Sequence, residues 1–196
     1  MALDAYAAAV ELFLKSEPAQ MAMASGASWD PGARVLRLRY CGREFTVTAE
    51  NGEIFAGPGH WKVNRNDLTL VLQYLAGASG LPPRGQWLSF LELPDGGHHY
   101  PPFQVEALAP LARGFDGRGE EFLRAGGLLG GEEVKMADAA LVIPVFPKLP
   151  VAVLLWHGDE EFPARAAILY DAVAPSHLST AALYVLGCEL VRKMLG

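Results

Sequence analysis

The last third of the chain most constrains the fold. Across residues 151–157, Val151, Val153 and Leu155 alternate with Ala152, Leu154 and Trp156, so an extended segment here is apolar on both faces. A strand of that kind belongs at the centre of a sheet, covered on both sides. Ala139–Phe146 before it and 164–171 after it are also rich in Val, Leu and Ile, which marks two more strands. The link at 158–163 is short, so the last two strands are expected to pair antiparallel. Thr180–Leu195 reads as a closing helix with Ser179 or Thr180 as its cap. Its only charged residues are Glu189, Arg192 and Lys193, and a helix apolar nearly all round is expected to be buried.

Upstream, the apolar period switches between helix and strand. Leu3, Tyr6, Val10, Phe13 and Leu14 give a helix over 3–15, and Pro18 opens a short second helix to Ser25. Residues 29–32 read as a turn. Period-two segments at 34–40 and 43–48 are joined by Cys41-Gly42, a tight hairpin signal, and 53–56 is a short third strand. Asn66 is the expected cap of a helix over 67–78, whose apolar stripe is Leu68, Val71, Leu72 and Leu75. Residues 86–93 read as a strand, 94–97 as a turn, and 104–113 and 118–126 as short helices. Gly126, Gly127, Gly130 and Gly131 then break the chain. Helices and strands come in blocks without strict alternation. The expected class is α+β, a mainly antiparallel mixed sheet with helices packed on it and a buried C-terminal helix.

The 196 residues are expected to form a single domain, 1–196. The net charge of −6 argues against a general nucleic-acid binder, which needs a basic excess to neutralise phosphates. Cys41 and Cys188 are too far apart in the sequence to suggest a zinc or disulfide framework. The start at Met1 lacks a basic segment followed by an apolar one, and no uninterrupted run of apolar residues reaches membrane-spanning length. These features predict a cytoplasmic protein with no membrane association. The histidines, His60, His98, His99, His157 and His177, show no metal-ligand spacing, so no metal or cofactor is expected.

Several segments in order resemble one protein family. They are Gly85-x-Trp87-x-x-Phe90-x-x-Leu93-Pro94-x-Gly96-Gly97, then Leu129-Gly130-Gly131 with Asp138, then Phe146-Pro147-x-x-Pro150. Leu155-Trp156-x-x-Asp159-Glu160-Glu161-Phe162-Pro163-Ala164 and Ile168-Leu169-Tyr170-Asp171 complete the set. Together they are similar to the domain-of-unknown-function 3786 family of anaerobic bacteria and archaea, most strongly from residue 74 onward. The resemblance implies no activity and no catalytic residues. Some similar proteins carry an iron–sulfur part, but this chain lacks the cysteine clusters such a part requires.

The most suggestive constellation is His157-Gly158-Asp159-Glu160-Glu161-Phe162, at the end of the central strand. If the backbone stays extended, His157, Asp159 and Glu161 share one face, and Glu160 shares the other with Trp156 and Phe162. A carboxylate held against aromatic rings has a raised pKa and can serve as a general acid or base. The competing reading is a solvated turn, with Asp171 capping the following loop. Trp87 and Trp156, with Trp61, are candidates to line a ligand pocket or to pack in the core. Arg37 and Arg39 lie on one strand face and suit either an anion or solvent. The glycines at 126–131 lack the Lys-Ser or Lys-Thr of a phosphate loop, and no motif supports a nucleophile.

These readings favour a non-catalytic or accessory domain of anaerobic metabolism that binds a small ligand or a partner protein. Its candidate site is Trp87, Trp156, His157, Asp159, Glu160, Glu161 and Phe162. The alternatives are an enzyme using Glu160 or Asp159 as acid/base, with or without a metal, and a structural subunit forming a homodimer.

Overall fold

The computed structural model describes residues 4–196. Leu3, expected in the first helix, and the Met1 start lie outside the described residues. The fold is α+β, with two antiparallel sheets of four and five strands and helices packed on them. The mainly antiparallel pairing expected holds for every strand pair, and the strands form two sheets where one was expected.

Helix α1 (Ala5–Lys15) is capped by Asp4, whose carboxylate accepts from Tyr6 N at 3.1 Å. Helix α2 (Pro18–Ser25) opens on proline, as expected. The four-stranded sheet follows in chain order: β1 (Ser28–Asp30), β2 (Val35–Tyr40), β3 (Arg43–Thr48) and β4 (Ile54–Ala56). Trp29 and Asp30, expected in a turn, belong to β1 and pair with Leu36 and Val35. The β2–β3 hairpin turns at Cys41 and Gly42 with φ of 48° and 75°, the doubly positive turn that matches strand twist. A Cβ on Gly42 would sit 2.9 Å from the Leu129 carbonyl carbon, so both backbone conformation and space require glycine there. Cys41 N donates to Val145 O at 3.0 Å and ties the hairpin tip to the other sheet.

Helix α3 (Arg65–Gly77) starts earlier than expected, and its cap is Asn64, not Asn66. Asn64 Oδ1 accepts from Asp67 N at 3.0 Å, and Asp67 Oδ2 accepts from Asn64 N at 2.9 Å. This reciprocal pair satisfies two backbone donors at once, which fixes the start. The strand expected over 86–93 is only β5 (Trp87–Ser89). Glu92 accepts from both Ser89 N and Ser89 Oγ, and that curls Phe90–Glu92 into a 3-10 turn.

The turn expected over 94–97 is kept only at Pro94 and Asp95, and from Gly96 the chain is helical. α4 (Gly96–Phe103) runs through a π turn (Gln104–Leu108) into α5 (Ala109–Phe115). Phe103, Ala107 and Leu111 recur every four residues and are fully buried. That burial overrides the breaking tendency of Pro101 and Pro102, which remain exposed. The two prolines remove ladder donors, and the turn after them widens.

After α6 (Gly119–Gly127) comes the five-stranded sheet: β6 (Glu132–Glu133), β7 (Ala139–Phe146), β8 (Leu149–Trp156) and β9 (Arg165–Asp171). The order is β5-β9-β8-β7-β6, so β8 is central, as its composition predicts. Its inner face, Val151, Val153 and Leu155, joins one apolar cluster with α1, α3, α5, α6 and the four-stranded sheet. α7 (Ala174–His177) leads to α8 (Thr180–Leu195), capped by Ser179 and buried along most of its length. The expected cover on the second face of β8 is different. Ala140, Ala152 and Leu154 form a separate small cluster, packed by Trp87, Val134, Ala137, Val142, Trp156, Ala167 and Leu169 rather than by a helix. Among the described residues no helix is long and apolar enough to cross a membrane.

Candidate functional site

The extended face expected at residues 157–162 does not form, because β8 ends at Trp156 and the chain turns. Asp159 Oδ1 accepts from Glu161 N at 2.8 Å and from Phe162 N at 2.7 Å. These bonds, that from Phe162 first, lower the Asp159 pKa, the opposite of what an aromatic pocket would do. Glu160 and Glu161 are exposed, and Phe162 is 64% exposed, so Glu160 does not share an aromatic pocket with it. His157 Nδ1 accepts from Gly117 N at 3.0 Å, and His157 N donates to Asp138 at 2.9 Å. Asp116 accepts from Gly158 N at 3.0 Å. The local bonding is that of a loop stitched to its neighbours.

Trp87 and Trp156 do not converge on this turn. Trp87 pairs with Asp171 at one end of β9 and Trp156 with Arg165 at the other. Both ring systems flank the outer apolar cluster of the five-stranded sheet. Asp171 is fully buried and accepts from Arg84 N, Gly85 N and Val173 N, so it binds the following loop and the 84–85 connector. Among the described residues no three His, Cys, Asp or Glu side chains gather as a metal site.

The structure gathers a buried charged network that the sequence reading missed. It lies where the start of α3 meets the end of α8. Asp67 is fully buried and ion-paired to the fully buried Lys193 ammonium. Tyr40 OH donates to Asp67 at 3.0 Å, and Lys193 Nζ donates to Tyr40 OH at 3.3 Å. Glu189 accepts from Asn64 Nδ2 at 2.9 Å, from Asn66 Nδ2 at 2.8 Å and from Arg192 Nε at 2.6 Å. Arg192 also reaches Asp67 at 3.2 Å. Burial raises the Glu189 pKa, but the bonds from Asn64, Asn66 and Arg192 and the Lys193 charge outweigh it and hold it low. Trp61, on the loop before α3, places its ring 4.3 Å from Lys193 Nζ.

Two carboxylates face two cations in this network, and each has a partner. That arrangement fastens helices together and leaves no free nucleophile or base. Burial pushes the neighbouring Cys41 thiol up to about 12, which makes it inert. A signal for the network exists in the sequence. Asp67, Leu70, Val71 and Tyr74 follow helical spacing, as do Leu186, Glu189, Leu190 and Lys193. A charge on an apolar stripe is buried, and a buried charge needs a partner.

A second feature is a cleft of about 450 Å³ between the sheets. Its lining includes Arg37 and Arg39 from the outer face of β2, Gly26 after α2, Gly42 in the hairpin turn, and Pro144 and Pro147 at the end of β7. Arg37 meets Asp30 at 3.5 Å, with both side chains near 40% exposed. Arg39 is exposed and, among the described residues, makes no ion pair within 4.0 Å. Glu44 lies opposite it on β3.

The comparisons with known proteins agree on one point. No match to the chain was found among curated proteins or among solved structures. A family model, Domain of unknown function (DUF3786), matches residues 17–193, which takes in both sheets, the charged network and the cleft. On that match the chain belongs to the DUF3786 family.

Proposed function

We propose that this chain is a non-catalytic binding domain that takes a small molecule in the cleft between its two sheets. The cleft itself carries this reading. Its volume of about 450 Å³ falls within the ~300–1,000 Å³ of ordinary ligand pockets. Apolar and glycine surface lines it, with a few polar side chains to orient a ligand. The acid/base alternative rests on Glu160 and Asp159, which lie exposed on a hydrogen-bonded turn. Ligand-observed NMR against a fragment panel, with native protein and with Ser28→Trp, tests the proposal. Ser28 is exposed and lines the cleft, so tryptophan there fills it from an edge strand. Fragments that bind native protein should lose binding in the variant. Fragments bound equally by both proteins, or by neither, would refute it.

A second reading is favoured by the outer face of the five-stranded sheet. There Ala140 and Leu154 are buried beneath Trp87, Trp156, Val134 and Ala137, and the half-buried Trp87, Val142, Trp156 and Leu169 present an apolar surface that no helix among the described residues covers. A second copy of the chain, docked face to face about a two-fold axis, would cover this face. Tryptophan is also enriched at the energetic centres of interfaces. Light scattering of native protein and of Trp156→Glu decides it. A native dimer that dissociates in the variant is expected, and a native monomer removes the reading.

A further inference from the structure

We infer that the ligand of the inter-sheet cleft is a small organic oxyanion bearing two charged groups, held by Arg37 and Arg39; this rests on the cleft being the binding site. Residues two apart on a strand project to the same face about 7 Å apart. Here they bracket Leu38, which is buried on the opposite side. Both arginines line the cleft. Each guanidinium offers five donors in a planar fork that fits a carboxylate or phosphate edge.

Most of those donors are uncommitted. Arg37 makes one marginal contact, 3.5 Å to Asp30 Oδ2. Arg39 makes none within ion-pair distance among the described residues, although Glu44 lies across the strand pair. Contrast Arg43 on the neighbouring strand β3, whose donors are spent on the Gly57 and Trp61 carbonyls. Contrast also Arg192, spent on Glu189 and Asp67. A third cation stands beside the cleft. The Lys148 side chain lies 3.6 Å from where a Cβ on Gly26 would sit, and its ammonium donates only to the Met23 and Gly80 carbonyls. Among the described residues no carboxylate lies within 4.0 Å of that ammonium. Glu44 also lines the cleft and Asp30 pairs with Arg37, so three cations stand against two carboxylates there, a small local positive excess on a chain of net charge −6, and that excess favours anions.

Asp30 sharpens the inference. Among the described residues its carboxylate is the one group in ion-pair contact with Arg37, so an incoming anion competes with it. Asp30 Oδ1 also accepts from Ala33 N at 2.9 Å, a bond that asparagine preserves. Asp30→Asn therefore removes the competing charge while keeping the turn.

The test is an amide NMR titration with four probes: inorganic phosphate, a four-carbon dicarboxylate, a neutral diol of similar size and a monoamine. The two anions should shift the Gly26, Gly42 and Gly130 amides saturably. Arg37→Gln/Arg39→Gln should weaken dicarboxylate binding by ~10-fold or more, as expected for loss of charge-assisted bonds. Asp30→Asn should tighten it. If the diol or the amine shifts these glycines and the anions do not, the ligand class is wrong while the cleft remains the site. If no probe shifts them, the cleft reading falls as well. Anion binding unchanged by the arginine substitutions overturns the inference, and so does Asp30→Asn that leaves it no tighter.

Discussion

Removing the Lys193 ammonium should be among the most damaging single changes to this fold. In Lys193→Met the side chain keeps nearly the same length and stays buried, but the charge is gone. Asp67, fully buried, then keeps Arg192, Tyr40 and the Asn64 amide, while the network passes from two cations and two anions to an excess anion. Breaking a buried pair from one side costs roughly 3–5 kcal/mol, because the remaining charge is left inadequately compensated away from water. At ~2–4 °C per kcal/mol for a chain of this size, the melting temperature should fall by roughly 6–20 °C. Thermal unfolding measures that fall, and urea unfolding followed by circular dichroism measures the free-energy loss, provided the slope of the transition is unchanged. Adding Asp67→Asn restores neutrality and retains an acceptor for the helix cap, so the double variant should be more stable than the sum of the two single losses predicts. A coupling of at least ~1 kcal/mol is expected for groups in direct contact. A Lys193→Met loss under ~1 kcal/mol, or strict additivity in the double variant, would refute the network as described.

Two further outcomes follow from the fold. Gly42→Ala should destabilise by ~1–2 kcal/mol from left-handed backbone strain alone, and by more because its Cβ would crowd the Leu129 carbonyl carbon at 2.9 Å; the same urea assay reads it, and a neutral result would mean the hairpin tip relaxes freely. His177 is buried, its Nδ1 accepts from Ser79 N at 3.1 Å, and burial holds its pKa below the ordinary value, with Lys148 adding to the effect and Asp171 opposing it. Below the ordinary value of about 6.5 the unfolded chain takes up a proton that the folded chain resists, so stability is intact above that pH and declines as pH falls toward the depressed folded value. His177→Gln should remove this part of the acid sensitivity between about pH 7 and pH 5, and an undiminished slope in the variant assigns it to other groups.

The two hairpins show what a sequence can specify locally. Cys41-Gly42, and the apolar runs at 151–157 and 164–171 with their short link, carry turn chemistry and alternation strong enough to identify their strands and antiparallel pairing. The central place of β8 was legible for the same reason. The first half of the helix at 96–115 was not. Gly96 and Gly97 read as part of a turn and only 104–113 as helix; the burial of Phe103, Ala107 and Leu111 explains why the helix also takes in 96–103. The cap of α3 was misplaced because Asn64 and Asn66 are both competent caps. The reciprocal bond from Asp67 chooses between them.

The candidate site divides along the same line. The acidic run 157–161 looked like chemistry because its residue types are right. Residue types do not say whether a backbone stays extended, and here Asp159 folds it into a turn. Arg37 and Arg39 were placed on one strand face by period two alone, but nothing in the sequence says that Gly26, Gly130, Pro144 and Pro147 close a cleft around them.

The sequence by itself determined the α+β class, the three C-terminal strands with the antiparallel pairing of the last two, the capped and mostly apolar last helix, and the family, because these rest on local periodicity, turn chemistry and ordered motifs. Only the tertiary structure decided that there are two sheets, that a cleft separates them, and that Asp67, Tyr40, Glu189, Arg192 and Lys193 share one buried network. Those features join residues more than a hundred positions apart. Such contacts form when the burial of distant apolar faces brings the helices and sheets together, and no local pattern records which partner each face will meet.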